Sequence, residues 1–182
     1  MDLTSDQHRR ITAFIQDWSK DKTMELETTF GERGVVDSNT FLQIAQRLRA
    51  KGFEMMPQDD RLSILTPNQL RISIQGLGVI QLYCKDDSLQ NKTYTVMAKS
   101  RTSPDSNIDL RDYHVRFKMR RESDISHDDP LVTPILSNWT NQKKAFRLIR
   151  RWSFRGKGIR FDLSMVRQSP TLPTGEIGRA HV

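Results

Sequence analysis

The chain has a single cysteine, Cys84, among 182 residues. That excludes a disulfide framework and any paired Cys-x-x-Cys zinc site, and it fits a reducing compartment. Cys84 follows an apolar run and reads as a small packed residue rather than a nucleophile. Long apolar stretches are missing as well. No window approaches the roughly 18 residues of a membrane-spanning helix, and Met1 leads into Asp2, not into a basic-then-apolar leader. The expectation is a soluble, intracellular chain with no membrane partner. No Gly-x-x-x-x-Gly-Lys-Ser/Thr phosphate loop and no serine nucleophile elbow occur. His8, His114, His127 and His181 have no mutual spacing suited to zinc. Hydrophobic residues make up 36% and charged residues 28%. That is modest for a tightly packed enzyme, but the pattern is too regular for a disordered chain, and the length suffices for one domain with a real core.

Charge is present but unevenly placed. The net charge is +7, from 29 Lys and Arg against 22 Asp and Glu. Residues 111–168 hold 14 basic and 6 acidic side chains, a local balance of +8, so the rest of the chain balances near neutrality. A localised basic block points to a polyanionic partner such as nucleic acid, nucleotide phosphate or a membrane surface.

Periodicity organises the chain. Ile11, Phe14, Ile15 and Trp18 recur at helical spacing behind Ser5 or Asp6 as caps. Phe41, Ile44, Ala45 and Leu48 stripe a second helix, capped by Asp37 or Ser38 and closed at Lys51-Gly52. A short helix is expected from Gly76 through Val79, Ile80 and Tyr83, and another over Asp129–Trp139. The remaining segments alternate or carry β-branched and aromatic residues: 24–30, 53–56, 61–66, 70–75, 94–100, 113–122, 145–154 and 159–168. Gln58-Asp59-Asp60, Thr66-Pro67-Asn68 and Arg155-Gly156-Lys157-Gly158 read as turns, and Ser100–Arg111 as a polar loop. Eight strands joined mostly by short turns predict an α+β fold, an antiparallel sheet or barrel with a few helices outside it. Residues 170–182 lack apolar periodicity, and residues 176–182 resemble translated sequencing adapter.

Strand alternation turns the basic block into geometry. His114, Arg116, Lys118, Arg120 and Glu122 share one face of their strand, with Tyr113, Val115, Phe117 and Met119 on the other. Arg147 and Arg151 share a face with Ala145, Ile149 and Ser153. Arg160, Asp162 and Ser164 lie opposite Phe161, Leu163 and Met165. A sheet with one packed and one solvated face would give this pattern, but solvated faces usually mix signs. Like charges 8–10 Å apart repel by about 2 kcal/mol at an effective dielectric near 20, less when exposed. A face that binds an anion has a reason to tolerate that. The acidic counterpart is Glu25 and Glu27, two apart on one strand and so about 6–7 Å apart on one face. Two oxygens there can converge on a hard divalent cation, Mg2+ or Mn2+; an ordinary exposed strand would show the same pair.

In series these segments resemble the triphosphate tunnel metalloenzymes, in particular the RNA 5′-triphosphatases of fungal, protozoal and large-DNA-virus mRNA capping. The matching pieces are 25–31, the helix containing Phe41 and Leu48, then 70–73, 80–85, 116–123, 144–154 and 160–167, in the family's order, so the likeness runs from about residue 20 to residue 168. The resemblance implies an eight-stranded antiparallel barrel with a polar interior, spanning residues 1–169 and incomplete at its C-terminal end, with 170–182 as an unstructured tail. It implies Glu25 and Glu27 as ligands of Mg2+ or Mn2+, and Arg71, Arg116, Lys118, Arg120 and Arg160 as substrate-binding. Arg147 and Arg151 would join the glutamates in catalysis. Asp162 would orient water or the metal shell, with Glu122 and Ser164 as inward partners. The implied reaction is removal of the γ-phosphate from the 5′-triphosphate end of nascent mRNA. The implied partner is a guanylyltransferase domain or subunit, and the implied setting is cytoplasm or viral factory if viral, nucleus if cellular. Nucleoside triphosphate or inorganic polyphosphate are alternative substrates, and a non-catalytic RNA- or phosphate-binding β-domain is the alternative class. Two departures stand out. Ile149 occupies the middle of the family's Arg-x-Lys-x-Arg strand. The family's second glutamate-rich strand has no counterpart, because the chain has six glutamates and only Glu176 follows Glu122.

Overall fold

A computed structural model describes residues 2–21, 23–31, 37–67, 70–101 and 107–172. The chain forms two compact units, one of residues 1–37 and 99–123, the other of residues 38–98 and 124–182. The tail beyond Leu172, including the adapter-like residues, lies outside the described residues, as do Asn68 of the expected turn and residues 102–106 of the expected loop.

In the first unit, helix α1 (Ser5–Lys20) starts at Thr4, not at Ser5 or Asp6. The Thr4 hydroxyl accepts from the Gln7 amide at 3.2 Å, and the Gln7 side chain accepts from the Thr4 amide at 2.9 Å. This reciprocal Thr-x-x-Gln box satisfies two amides that would otherwise lack partners. Strand β1 (Met24–Phe30) pairs antiparallel with β7 (Val115–Asp124), and β6 (Asn107–Leu110) pairs with β7 as well. β6 falls where a polar loop was expected. Its Ile108 and Leu110 are buried with Phe14 and Met119, and Asn107 and Asp109 alternate with them. β7 begins at Val115 because residues 111–113 form a 3-10 turn that ends with His114 at φ 51.

The second unit contains α2 (Ser38–Ala50), β2 (Glu54–Met55), β3 (Asp59–Leu65), β4 (Leu70–Gln75), α3 (Leu77–Asp86), most of β5 (Tyr94–Arg101), α4 (Thr133–Ser137), β8 (Ala145–Gly156) and β9 (Ile159–Ser169). β5, β4, β3, β8 and β9 are neighbours in that order, all antiparallel, and β2 pairs with the far end of β8. One face of this sheet supplies Leu62, Ile64, Leu70, Ile72, Ile74, Val96 and Phe146 to a core closed by Ile80 and Tyr83 of α3, Ile135 of α4, and Trp139. Gly76 opens α3 at φ 89, a left-handed conformation that a side chain would strain.

The nine strands among the described residues agree with the expected antiparallel α+β class, with β6 added to the expected eight. Two local expectations fail for physical reasons. Asp59 and Asp60 begin β3 instead of turning, because Asp60 pairs with Arg150 at 3.0 Å and Asp59 lies opposite Arg151 in register. Pairing with β8, through an ion pair at Asp60 and ladder register at Asp59, overrides their turn preference. The helix expected over 129–139 shrinks to Thr133–Ser137. Asp129 holds the Leu131 amide at 2.8 Å in a side-chain-closed turn, and Pro134 is tolerated only in a first turn. Among the described residues no helix is long and apolar enough to cross a membrane.

Two predictions follow from this core. Ile72 is fully buried, so Ile72→Ala should lower stability by about 2–5 kcal/mol in urea denaturation; a loss well under 1 kcal/mol would contradict the packing. Burial, then the Asp87 carboxylate that accepts its hydroxyl, pushes the Tyr83 phenol above its ordinary value near 10. The unfolded chain ionises there while the folded chain does not, so this contribution is intact below pH 10 and lost above it. Denaturation midpoints measured from pH 9 to 11 should fall more steeply for the native chain than for Tyr83→Phe, whereas parallel slopes would contradict the assignment.

Candidate functional site

The polar face of the first unit follows directly from strand register. Glu25 lies opposite Arg120, Glu27 opposite Lys118, and Thr29 opposite Arg116. β6 adds Asn107 opposite Lys118 and Asp109 opposite Arg116. All of these side chains share one face because residues directly opposite in a ladder point the same way. The Lys118 ammonium stands 3.6 Å from the Glu27 carboxylate. Arg120 donates to Asn107 at 3.0 Å and to the Met119 carbonyl at 2.9 Å. Arg116 grips Asp109 with two donors, one of them at 2.8 Å, and that hydrogen-bonded pairing holds its guanidinium pKa above the ordinary value. Five expected site residues, Glu25, Glu27, Arg116, Lys118 and Arg120, are thus brought together. Asn107 and Asp109 are the residues that sequence reasoning missed here. Their signal is the Asn-Ile-Asp-Leu alternation inside a stretch otherwise rich in turn formers.

The second unit presents its own cationic face. Arg147 lies directly opposite Ser63, and Arg71 lies opposite Leu65 on the other side of β3. Arg147 is half-buried, and burial first, then the Arg71 charge, pushes its guanidinium below the ordinary value. The Arg147 Nε and the Ser63 hydroxyl oxygen are both buried without a hydrogen-bond partner. Leaving a polar group so placed typically costs about 1–3 kcal/mol, more when it is charged. The unfilled needs of Arg147 and Ser63, on a face where the Arg71 charge is also felt, are of the kind an oxyanion can satisfy.

Further along the same face, Arg151 donates to Ser164 at 3.2 Å and stands 3.5 Å from Asp162. Asp162 also takes Arg160 at 2.9 Å and the Ser153 hydroxyl at 2.7 Å. Its carboxylate therefore engages two arginines and a serine hydroxyl. Ile149, the apolar interruption, faces Arg61 in register. Arg61 is held by Asp59 at 3.2 Å, and Asp59 also accepts from Gln75 at 2.9 Å. The neighbouring strand so restores a cation where β8 lacks one. Sequence reasoning missed Asp59, Arg61 and Ser63, although they alternate with Asp60, Leu62 and Ile64. Among the described residues no group of three or more His, Cys, Asp or Glu side chains is placed to hold a metal. Two carboxylates at Glu25 and Glu27 still suit Mg2+, which commonly takes one or two protein carboxylates and completes its shell with waters and substrate phosphates.

No family model matches the chain, and no curated protein matches it. Solved structures do. The RNA triphosphatase domain of a trifunctional mimivirus mRNA capping enzyme superposes with a TM-score of 0.68 at 17% identity, covering 93% of this chain and 81% of that one. A monoclinic structure of mimivirus capping enzyme triphosphatase gives 0.67 at 16% identity, covering 94% and 83%. A triclinic structure of it gives 0.66 at 16%, covering 93% and 82%. The fold of this chain is the one adopted by the mimivirus capping-enzyme RNA triphosphatase domain, as the order of its strand motifs anticipated.

Proposed function

We propose that the chain is a metal-dependent RNA 5′-triphosphatase that removes the γ-phosphate from nascent mRNA 5′ ends in cap formation. The observation that carries this reading is the placement of Glu25 and Glu27 on one strand face with Lys118 and Arg120, in a fold shared with capping-enzyme RNA triphosphatase domains. Glu25 and Glu27 would hold Mg2+ or Mn2+. When bound, that cation supplies charge neutralisation at the phosphoryl oxygens. Lys118 and Arg120 offset the negative charge of the triphosphate close to those glutamates. The second unit, taken by itself, offers Arg71, Arg147 and the Ser63 hydroxyl as donors to phosphate oxygens, and its Asp162 holds Arg151 and Arg160. Because these donors are fixed before substrate arrives, they stabilise developing charge without reorganising during the reaction. Water attacks the γ-phosphorus in line, giving inorganic phosphate and a 5′-diphosphate RNA, with no covalent enzyme intermediate. A guanylyltransferase domain or subunit is the natural recipient of that diphosphate end, and an intracellular site of mRNA synthesis is the matching location.

A second reading has one observation in its favour. Among the described residues no group of three or more potential ligands is placed to hold a metal, and a domain that binds triphosphate ends without hydrolysing them would need only the cationic side chains.

Two measurements discriminate. Glu25→Gln and Glu27→Gln should each reduce Mg2+- or Mn2+-dependent phosphate release from triphosphate-ended RNA at least about 100-fold, corresponding to about 2.7 kcal/mol of transition-state stabilisation. Unchanged release would contradict their role, and no release from the native chain would favour the binding reading. Inorganic triphosphate at 100 times its Kd should raise stability by about 2.7 kcal/mol. Arg147→Ala should abolish that gain while leaving the ligand-free chain as stable as before or more so, because it removes a half-buried charge facing Arg71. A full gain in the variant would contradict the anion site.

A further inference from the structure

The β8–β9 hairpin carries two cations, Arg155 and Lys157, that the triphosphate reading does not use. Arg155 and Arg160 stand directly opposite each other in the antiparallel register, an arrangement that repels. Arg160 is tied to Asp162. Arg155 is exposed, and although Glu54 is its register partner on β2, no ion pair joins them. Lys157 occupies the first of two positive-φ positions in the turn, at φ 53, with Gly158 at φ 72. A two-residue turn of this hand favours Asn or Gly at that first position, so lysine is placed there against local preference. Its ammonium lies 5.9 Å from the centre of the Phe53 ring, which meets Phe161 edge-on at 5.1 Å. Ile159 beside it is 54% exposed. An open concavity of about 370 Å3 is lined by Arg155, Gly156, Gly158, Ile159 and Arg160.

These groups continue a track. Arg147, Arg151 and Arg155 lie on one face of β8, and at about 3.3 Å per residue the eight steps from Arg147 to Arg155 span roughly 26 Å. A nucleoside triphosphate held at Arg147 is too short to reach the hairpin, whereas a polynucleotide is not. Cations beside an exposed apolar side chain, Ile159, and the half-buried rings of Phe53 and Phe161 are a combination that suits single strands, the cations tracking phosphates and the apolar groups meeting bases.

We infer that the hairpin of Arg155, Lys157 and Gly158 is a binding site for the single-stranded RNA that follows the triphosphate end, and that it discriminates RNA from free nucleotide. The direction of the chain, 5′ end at Arg147 and later nucleotides at the hairpin, rests on the triphosphatase reading; the hairpin's affinity for RNA does not. The test compares the 182-residue chain with the double variant Arg155→Gln, Lys157→Asn, in which asparagine suits the turn and protects folding. Fluorescence anisotropy reads the Kd of a 12-nucleotide RNA with a 5′-triphosphate and of the same RNA with a 5′-hydroxyl, while competition reads GTP and long-chain polyphosphate. The double variant should bind both RNAs about tenfold more weakly and reduce the salt slope by about 1.4, the value for two phosphate contacts on a single strand. GTP affinity should not change. Unchanged RNA affinity, an equal loss for GTP, or an equal loss for polyphosphate would overturn the inference. Should the native chain bind the two RNAs equally, the triphosphatase reading fails instead, and the hairpin is judged on the hydroxyl-ended RNA alone.

Discussion

The arrangement depends on one constraint: Arg147 is kept on a half-buried surface facing Arg71 because the opposite face of the same strands is locked into the core. Phe146 and Leu148 flank Arg147, as Leu70 and Ile72 flank Arg71 and Leu62 and Ile64 flank Ser63. A register slip of one residue would turn those apolar side chains to the polar face and bury the arginines. Hydrophobic burial therefore fixes two like charges and an unpartnered hydroxyl in place, which electrostatics alone would disperse. The donors proposed for phosphate are in this way held in place before any ligand arrives.

The first unit uses the same device with both signs. Phe14, Ile108, Leu110 and Met119 pack on one side of β1, β6 and β7, which obliges Glu25, Glu27, Lys118 and Arg120 to share the other. Here each charge meets an opposite one across the ladder, so this face is balanced where the second unit's face is cationic. The difference is chemically useful. Carboxylates beside lysine and arginine suit a cation bridged to phosphate, while paired arginines suit bare phosphate oxygens.

Much of this was legible in sequence because strand alternation has a period of two and both faces obey it. The bounds of β1 and β4 were read as they stand, and so was the sharing of faces by Arg147 with Arg151, and by Arg160 with Asp162. What escaped was whatever depends on a neighbour in space. Asp59 and Asp60 look like turn residues until Arg150 and Arg151 lie beside them. Ile149 looks like a gap in a cationic strand until Arg61 faces it. β6 was hidden in a polar stretch because four residues, two of them polar, carry too short an alternation to be told from a loop. Thr4, by contrast, was readable: Thr-Ser-Asp-Gln is a capping box in sequence, and Ser5 and Asp6 were distractions one step further on.

The most direct measurement is a crystal structure of the chain with inorganic triphosphate at saturating concentration. The anion site predicted by the half-buried Arg147 should hold a phosphate oxygen within about 3 Å of both the Arg147 Nε and the Ser63 hydroxyl. Triphosphate bound elsewhere, with Arg147 and Ser63 still lacking a phosphate partner, would contradict it.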